Sequence, residues 1–372
     1  MSKGMKIFTV ILSILFAGLG FFSGFVVNAY LSKPESDSLL LNEFSIHFFP
    51  LGNKSTGDSV YIKCGETDIL IDAGSESSSS TAIIEYVDRF VEDNTLEYVI
   101  ATHADSDHIS AFFDTTKTEG VFSHYKVETI IDFNLTNKAG QNTVEKYFQA
   151  RDNEIAQGAV HYSALECYNN QNGAQRIYQI SEDVEMEILY NYYYENTSSD
   201  ENNYSVCLMF NQGENHFLFT GDLEEDGEKR MVEYYKQTGG LPECVFYKAG
   251  HHGSKTSTTV ELMQMIKPKY CVVSCCAGVN QYHAKPENVF PTQAFIDHIA
   301  PYTDKIYIPT QVDFYEEAGE TKTTFKLMNG EIVLTSKPTG LEVKCSNNNT
   351  VLKDTEWFKA NRTWPIISEK VA

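Results

Sequence analysis

A cluster of metal-ligand side chains directly follows a short apolar run near residue 100. Residues 96–102, LEYVIAT, are mostly apolar, β-branched or aromatic and predict a buried strand. The next six residues contain His103, Asp105, Asp107 and His108, and the ISAFF segment after them predicts the beginning of a helix. The cluster is therefore expected on a loop between a strand and a helix, where open α/β folds place their chemistry.

Three further polar loops follow predicted strands later in the chain. Their notable residues are Gly221-Asp222, His251-His252-Gly-Ser254-Lys255, and His283 with Glu287. Together with the first loop they supply six or more oxygen and nitrogen ligands, which suits two divalent metal ions. Polar loops without metal are the competing interpretation, and the convergence of four such loops argues against it.

The bulk composition predicts a folded, acidic α/β protein. Strand-then-helix units alternate with strand pairs, and 42% of the 372 residues are hydrophobic, enough for an ample core. The formal net charge of -22 repels phosphate backbones at long range. A nucleic-acid substrate would therefore require metal ions or a local basic groove. The eight cysteines have no C-x-x-C spacing, which argues against a zinc ribbon.

The N-terminal segment predicts membrane insertion. Residues 7–31 carry no charge, are long enough to span a bilayer, and follow Lys3 and Lys6, which favour a cytoplasmic N-terminus. The segment is either an uncleaved signal anchor, which we favour, or a signal peptide cleaved after Ala29. Both place the body outside the cytoplasm. The expected organisation is a membrane or signal segment (1–31), a linker (32–42), a main folded domain with the polar loops (43–340) and a tail of unassigned role (341–372).

These motifs resemble the metallo-β-lactamase superfamily, and in particular the hydrolase domain of ComEC-type competence proteins and their stand-alone relatives. The family's H-x-[HD]-x-D-H loop is similar to residues 103–108, and its K-x-x-H-H-G-S-x-x-S motif is similar to residues 248–257. DILIDAG (68–74), FLFTGD (217–222) and ENNYSVCLMF (201–210) resemble further family segments. In two places the chain departs from the pattern. PLGNKSTGDS around Asp58 is two residues longer than the family's loop and lacks its first aspartate, and the proline that directly follows the family's histidine is missing after His283.

The resemblance implies an αββα metallo-β-lactamase sandwich with two metal ions, zinc or manganese, at one edge. It implies that His103 and Asp105 bind the first ion and that Asp222 bridges both. Asp107, His108 and either His251 or His252 would bind the second ion. An aspartate at 105 instead of a histidine makes the first site richer in oxygen and favours manganese or magnesium relative to an all-histidine zinc site.

The expected activity is metal-dependent hydrolysis of a phosphodiester, by a hydroxide that two metals generate at neutral pH. Asp107, Asp222 and His283 are the predicted catalytic residues, with His283 protonating the leaving group. Ser254, Lys255 and His283 are expected to contact substrate. Asp72 is expected to hold in place the loop of residues 103–108, called the metal loop below. The substrate is DNA or a cell-wall polymer such as teichoic acid, and no protein partner is inferred. The alternatives are amide or lactone hydrolysis and a non-catalytic metal-binding module.

Overall fold

Two β-sheets packed face to face form the centre of the computed structural model, which describes residues 44–281, 285–337 and 340–366. The strands come from runs of β-branched and aromatic residues. In chain order they are β1 (Phe44–Phe48), β2 (Val60–Cys64), β3 (Thr67–Ile71), β4 (Thr95–Ala101), β5 (Lys126–Asp132), β6 (Val160–Ser163), β7 (Ile177–Gln179), β8 (Glu185–Ile188), β9 (Leu208–Gln212), β10 (Asn215–Phe219), β11 (Phe246–Lys248), β12 (Tyr270–Val272), β13 (Cys276–Ala277), β14 (Ile306–Tyr307), β15 (Thr310–Glu317), β16 (Glu320–Leu327), β17 (Ile332–Lys337) and β18 (Gly340–Cys345).

The first sheet combines the N-terminal strands β1 to β6 with the C-terminal strands β17 and β18, and the second sheet is built from strands between them. The first sheet runs β18-β17-β1-β2-β3-β4-β5-β6, and the second runs β14-β12-β11-β10-β9-β8-β7. A small third sheet, β13-β15-β16, includes a hairpin with Phe314 63% exposed. Strands β3 to β6 pair in parallel, as do β10, β11, β12 and β14. The loops at the carboxyl ends of these parallel strands therefore meet at one edge of each sheet.

Helices cover the outer faces of both sheets. They are α1 (Ser79–Val87), α2 (Ser106–Ile109), α3 (Val121–His124), α4 (Asn142–Gln157), α5 (Ala164–Asn169), α6 (Glu225–Thr238), α7 (Val260–Ile266), α8 (Gln293–Ile299) and α9 (Glu356–Asn361). Strand β1 shows the layering, because all its residues are buried. Phe44 contacts Phe217 of the second sheet, with 4.9 Å between ring centroids. His47 points to the opposite face of the sheet, where its Nδ1 forms a hydrogen bond with the Tyr86 hydroxyl of α1. This alternation confirms the predicted α/β architecture with two sheets.

The structure describes the expected C-terminal tail as far as residue 366, but it does not describe the expected N-terminal segment. Residues 1–31 and the linker 32–42 lie outside the described residues, so the membrane prediction there stays a prediction. Among the residues that are described, no helix has the length and apolar character needed to cross a membrane. The expected tail begins within β18, which pairs along its length with β17, and Trp357 of α9 packs into the core beside the second sheet. Residues 341–361 thus contribute structure to the same body.

The helix expected after β4 lies earlier than the sequence suggested. The ISAFF segment was expected to begin a helix, whereas α2 covers Ser106–Ile109 and ends there. The helix does not continue, because the backbone N–H of Ala111 donates to the carbonyl of Ala73 at 2.7 Å and not to a carbonyl of the helix. This bond ties the metal loop to the end of β3.

Candidate metal centre

Four buried side chains converge where the loops of the two sheets meet. Asp58 follows β1, His108 lies on α2 after β4, Asp222 follows β10 and His252 follows β11. Each offers a ligand atom, and these atoms all lie within 4.8 Å of one another. Carboxylate oxygens and imidazole nitrogens at such separations form the kind of donor set that binds a divalent cation.

Asp222 lies at the centre of this cluster. Its Oδ2 is 3.1 Å from Nε2 of His108 and 3.1 Å from Nε2 of His252. The backbone N–H of Asp222 donates to the Ser205 hydroxyl at 3.0 Å, which fixes the turn. Gly221 has φ +53°, and a Cβ there would lie 2.8 Å from the Ser205 hydroxyl oxygen. The Gly-Asp pair therefore combines the backbone freedom and the carboxylate that this position requires.

Asp72 holds the metal loop from behind. Its carboxylate accepts hydrogen bonds from the backbone N–H and the hydroxyl of Thr102, at 2.7 and 2.8 Å. It also accepts from Nδ1 of His108 at 2.8 Å. With Nδ1 engaged in this way, Nε2 of His108 is the nitrogen that faces the cluster. Asp72 thus lies where a residue that orients a metal ligand is needed.

The two adjacent histidines diverge. Both have left-handed backbone conformations, with φ of 44° at His251 and 55° at His252. Nδ1 of His252 donates to the Ser274 carbonyl at 2.8 Å, so Nε2 faces the cluster, 3.4 Å from Asp107 Oδ2. Nδ1 of His251 instead lies 3.1 Å from a Glu224 oxygen. Of the two alternatives left open by the sequence, the structure directs His252 into the cluster.

His103 and Asp105 lie beside the four-residue cluster, outside it. The His103 ring is fully buried and lies 4.1 Å from the His108 ring between centroids. Its Nε2 is 3.6 Å from Asp105 Oδ2 and has no hydrogen-bond partner among the described residues. Burial is the main cause that lowers the pKa of His103 to about 4, so the ring is neutral and can act as a ligand. The other Asp105 oxygen pairs with Lys138.

Asp58 of the cluster and Lys248 beside it were not predicted as part of the site. Asp58 is a cluster member whose backbone N–H donates to the Asp107 carbonyl at 3.0 Å. Its carboxylate pairs with Lys248, whose Nζ is also 3.6 Å from Asp222 Oδ1. The family's Gly-Asp pair, present here at residues 57 and 58, was the available signal. The altered loop length before it concealed its role.

The electrostatics of the cluster favour an added cation. Burial alone lowers the pKa of a histidine, but Asp222 and Asp72 outweigh it and hold the pKa of His108 well above the ordinary range. Asp222 and Asp58 likewise raise the pKa of His252 to about 10. The carboxylates thus attract positive charge strongly, and a divalent ion can replace those protons. Buried Oδ1 of Asp222 has no hydrogen-bond partner among the described residues, which also fits a metal.

The cluster opens into a polar cleft of about 410 Å³. Ser254 and Lys255, both expected to contact substrate, line this cleft, and His283 lies outside the described residues. A larger groove of about 1110 Å³ lies elsewhere, over β5 and α4. The described residues that line the cleft are Asp105, Ser106, Asp107, Lys138, Asn202, Asp222, Glu224, His251, Ser254, Lys255, Thr256, Asn288, Phe290 and Thr292.

Comparison with known proteins confirms the expected resemblance. The family model described as the metallo-beta-lactamase superfamily matches residues 52–135, a range that includes Asp58, Asp72 and the loop from His103 to His108. The metallo-beta-lactamase fold protein YhfI from Bacillus subtilis is 10% identical with a TM-score of 0.41, and the match covers 76% of this chain and 100% of that one.

Two curated bacterial relatives match more than half of the chain. ComE operon protein 3 of Bacillus subtilis is 28% identical over 197 residues, which is 52% of this chain and 22% of that protein. Competence protein ComA of Neisseria gonorrhoeae is 26% identical over 235 residues, which is 63% of this chain and 27% of that protein. The chain therefore matches only about a quarter of the length of these relatives.

Proposed function

We propose that this protein is a metal-dependent hydrolase that cleaves phosphodiesters. One observation carries the proposal: the ligand atoms of Asp58, His108, Asp222 and His252 lie buried within 4.8 Å of one another, at the base of a polar cleft. Several of these atoms have no hydrogen-bond partner among the described residues, as expected of groups that bind a cation. A metal centre open to a cleft is suited to catalysis.

Two neighbouring groups of side chains would bind the two metal ions. Asp222 lies between His108 and His252, and Asp107 is beside His252, so these four side chains would hold the second ion. Asp58, the remaining cluster member, pairs with Lys248 beside them. His103 and Asp105 lie next to the second site and would hold the first ion with Asp222. When bound, the metals would polarise the phosphoryl oxygen and activate water. The aspartate at 105 makes the first site richer in oxygen, which favours manganese there, while zinc suits the histidines.

Other residues position the substrate. The Ser254 hydroxyl lies 2.9 Å from the Thr256 hydroxyl, and Thr256 donates to Glu224, which fixes this wall of the cleft. Lys255 is exposed at the cleft and would contact a phosphate oxygen. The proton for the leaving group is assigned to His283, as the sequence suggested.

Support for a phosphodiester comes from the resemblance to competence proteins. One matched relative is named "Competence protein ComA", another "ComE operon protein 3" and another "Recombination protein 2". The net charge of -22 disfavours long DNA, because the acidic surface repels a polyanion. The proposal therefore includes both DNA and a cell-wall polymer such as teichoic acid, which an assay can separate.

We also place this hydrolase outside the cytoplasm, attached to the membrane through residues 7–31. Support comes from the uncharged length of that segment and the lysines before it. Protease added to intact spheroplasts should degrade the body of the protein. Protection of the body until the cells are lysed would contradict this location.

The activity can be tested on the full chain, purified in a non-ionic detergent. We expect hydrolysis of bis-p-nitrophenyl phosphate with manganese or zinc, and loss of this activity in Asp222→Ala. Asp152→Asn on the exposed face of α4 serves as a charge-matched control and should retain activity. Parallel reactions with single-stranded DNA, double-stranded DNA and teichoic acid distinguish the substrate classes.

Two results would contradict the proposal. Bound metal without turnover of any phosphodiester would direct attention to amide or lactone substrates, or to a non-catalytic role. Failure to bind metal at all would remove the basis of the proposal, because the buried carboxylates would then need another explanation.

A further inference from the structure

Lys138 is a cation of the cleft that no sequence motif singled out. Its ammonium pairs with Asp105 Oδ1, 33 residues earlier in the chain, and its side chain is only 30% exposed. It lines the cleft together with Asp107 and Asp222. A solvated surface lysine rarely has a fixed position, because its rotamer entropy opposes ordering.

The backbone around Lys138 is anchored to the metal loop. Buried Glu201 accepts hydrogen bonds at one oxygen from the Thr136 hydroxyl (2.9 Å) and the Asn137 N–H (2.8 Å). Its other oxygen accepts from the backbone N–H of Ala104 at 3.1 Å. The N–H of Lys138 itself donates to the Thr136 hydroxyl at 3.0 Å. One buried carboxylate therefore fixes the Lys138 loop relative to the residues beside His103.

The charged side chains that line the cleft indicate the role of Lys138. Four carboxylates line the cleft, and metal ions would neutralise those they bind. The lining residues that the structure describes include two lysines, Lys138 and Lys255, and no arginine. Lys255 is exposed, whereas Lys138 is partly buried and held in place. A fixed, partly desolvated ammonium beside the metal ligands attracts an anionic group more strongly than an exposed one does.

We propose, on the basis of the hydrolase function above, that Lys138 is a specificity-determining residue that binds the negatively charged oxygen of a phosphodiester. The neutral esters, amides or lactones that the same metals could attack carry no such charge. Lys138 therefore selects phosphodiesters among the substrates open to this metal centre. It acts through direct contact with substrate, and its bond to Asp105 orients it.

Binding of dimethyl phosphate, a small phosphodiester anion, tests this assignment without requiring turnover. The full metal-loaded chain in non-ionic detergent is titrated calorimetrically, with neutral trimethyl phosphate as the uncharged comparison. We expect Lys138→Gln to weaken dimethyl phosphate binding about tenfold, the usual scale of one charge-assisted hydrogen bond. Lys138→Arg should preserve most of the affinity, and Lys146→Gln, which lines the separate groove, should match wild type. Metal content is measured in every sample.

The outcomes separate binding, metal retention and catalysis. Equal affinity in wild type and Lys138→Gln overturns the assignment, and so does a wild type that binds no dimethyl phosphate. Loss of metal from Lys138→Gln also overturns it, because the lysine would then serve Asp105 alone. If binding depends on Lys138 but no phosphodiester is cleaved, the anion site stands and the proposed hydrolase function fails.

Discussion

Adjacent histidines in this centre have different roles because of backbone geometry. The left-handed conformations at His251 and His252 turn the two rings to different sides of the loop. His252 faces Asp222 and Asp107, whereas His251 pairs with Glu224 at the cleft wall. Substitution of each histidine in turn tests directly which imidazole is a metal ligand.

We expect His252→Asn to bind zinc at least about tenfold more weakly, because loss of a group that only supports a metal ligand already costs about 10- to 100-fold. His251→Asn should retain wild-type metal affinity, since its ring contacts Glu224 and Thr256. Competition with a chromophoric chelator measures both affinities. Equal weakening in the two variants, or weakening only in His251→Asn, would contradict the observed geometry.

The sequence predicted much of the centre because its ligands follow strands. Residues that end parallel strands gather at one sheet edge, which is why His108, Asp222 and a histidine of the 251–252 pair were expected together. Lys138 was not predicted, because its closeness to Asp105 depends on tertiary contacts made by Glu201. The choice of His252 was also open, since it depends on φ angles and not on residue type.

Among the elements, buried strands were easier to predict than helix ends. The β4 and β10 runs are apolar because both faces of each sheet are covered, so they stand out in the sequence. The amphipathic pattern TAIIEYVDRFVE predicts a helix over residues 81–92, whereas α1 covers Ser79–Val87. The following turn brings Phe90 against His47, with 4.7 Å between ring centroids. Such a contact forms only when β1 lies beside this helix, so local periodicity could not reveal it.

Helices α6 and α7 are joined by a buried carboxylate. Glu228 of α6 is fully buried and accepts hydrogen bonds from the backbone N–H groups of Thr258 and Thr259, at 2.7 and 2.6 Å. Thr259 is the residue that caps α7. Burial is the largest cause that raises the pKa of Glu228 from 4.5 to about 7, and the two backbone bonds oppose it. This carboxyl group therefore titrates near neutral pH.

We expect Glu228 to make stability depend on pH. Because its pKa is higher in the folded chain than in the unfolded chain, its contribution is full below about pH 4.5 and is lost as pH rises through about 7. Between pH 4.5 and 8, wild type should lose roughly 3 kcal/mol more of its free energy of unfolding than Glu228→Gln, which stays uncharged.

Urea unfolding of both chains at several pH values, with chelator present, measures this difference. The chelator removes metal binding as a source of pH dependence, and the other titrating groups are common to both chains. Parallel pH profiles for wild type and Glu228→Gln would show that Glu228 does not titrate in this range.

At the scale of the whole molecule, the candidate metal centre draws its residues from both sheets. Asp58 and His108 come from loops of the first sheet, and Asp222 and His252 from loops of the second. Their carboxylates are buried and repel one another, so the edge between the sheets is costly without compensating positive charge. Lys248 supplies part of that charge at Asp58. A bound cation would supply the remainder and link the two sheets directly.

Removal of metal should therefore destabilise the whole fold. At a free metal concentration about 100 times the dissociation constant, binding adds about 2.7 kcal/mol to the free energy of unfolding. For a chain of 372 residues that corresponds to a rise in Tm of about 3–4 °C. Differential scanning calorimetry of the full chain with zinc, and after dialysis against EDTA, measures the shift. In Asp222→Ala, metal should leave Tm unchanged, because the variant lacks the carboxylate that lies between His108 of the first sheet and His252 of the second. An identical Tm for wild type with and without metal would mean that no ion links the sheets, and an equal shift in Asp222→Ala would place the ion elsewhere.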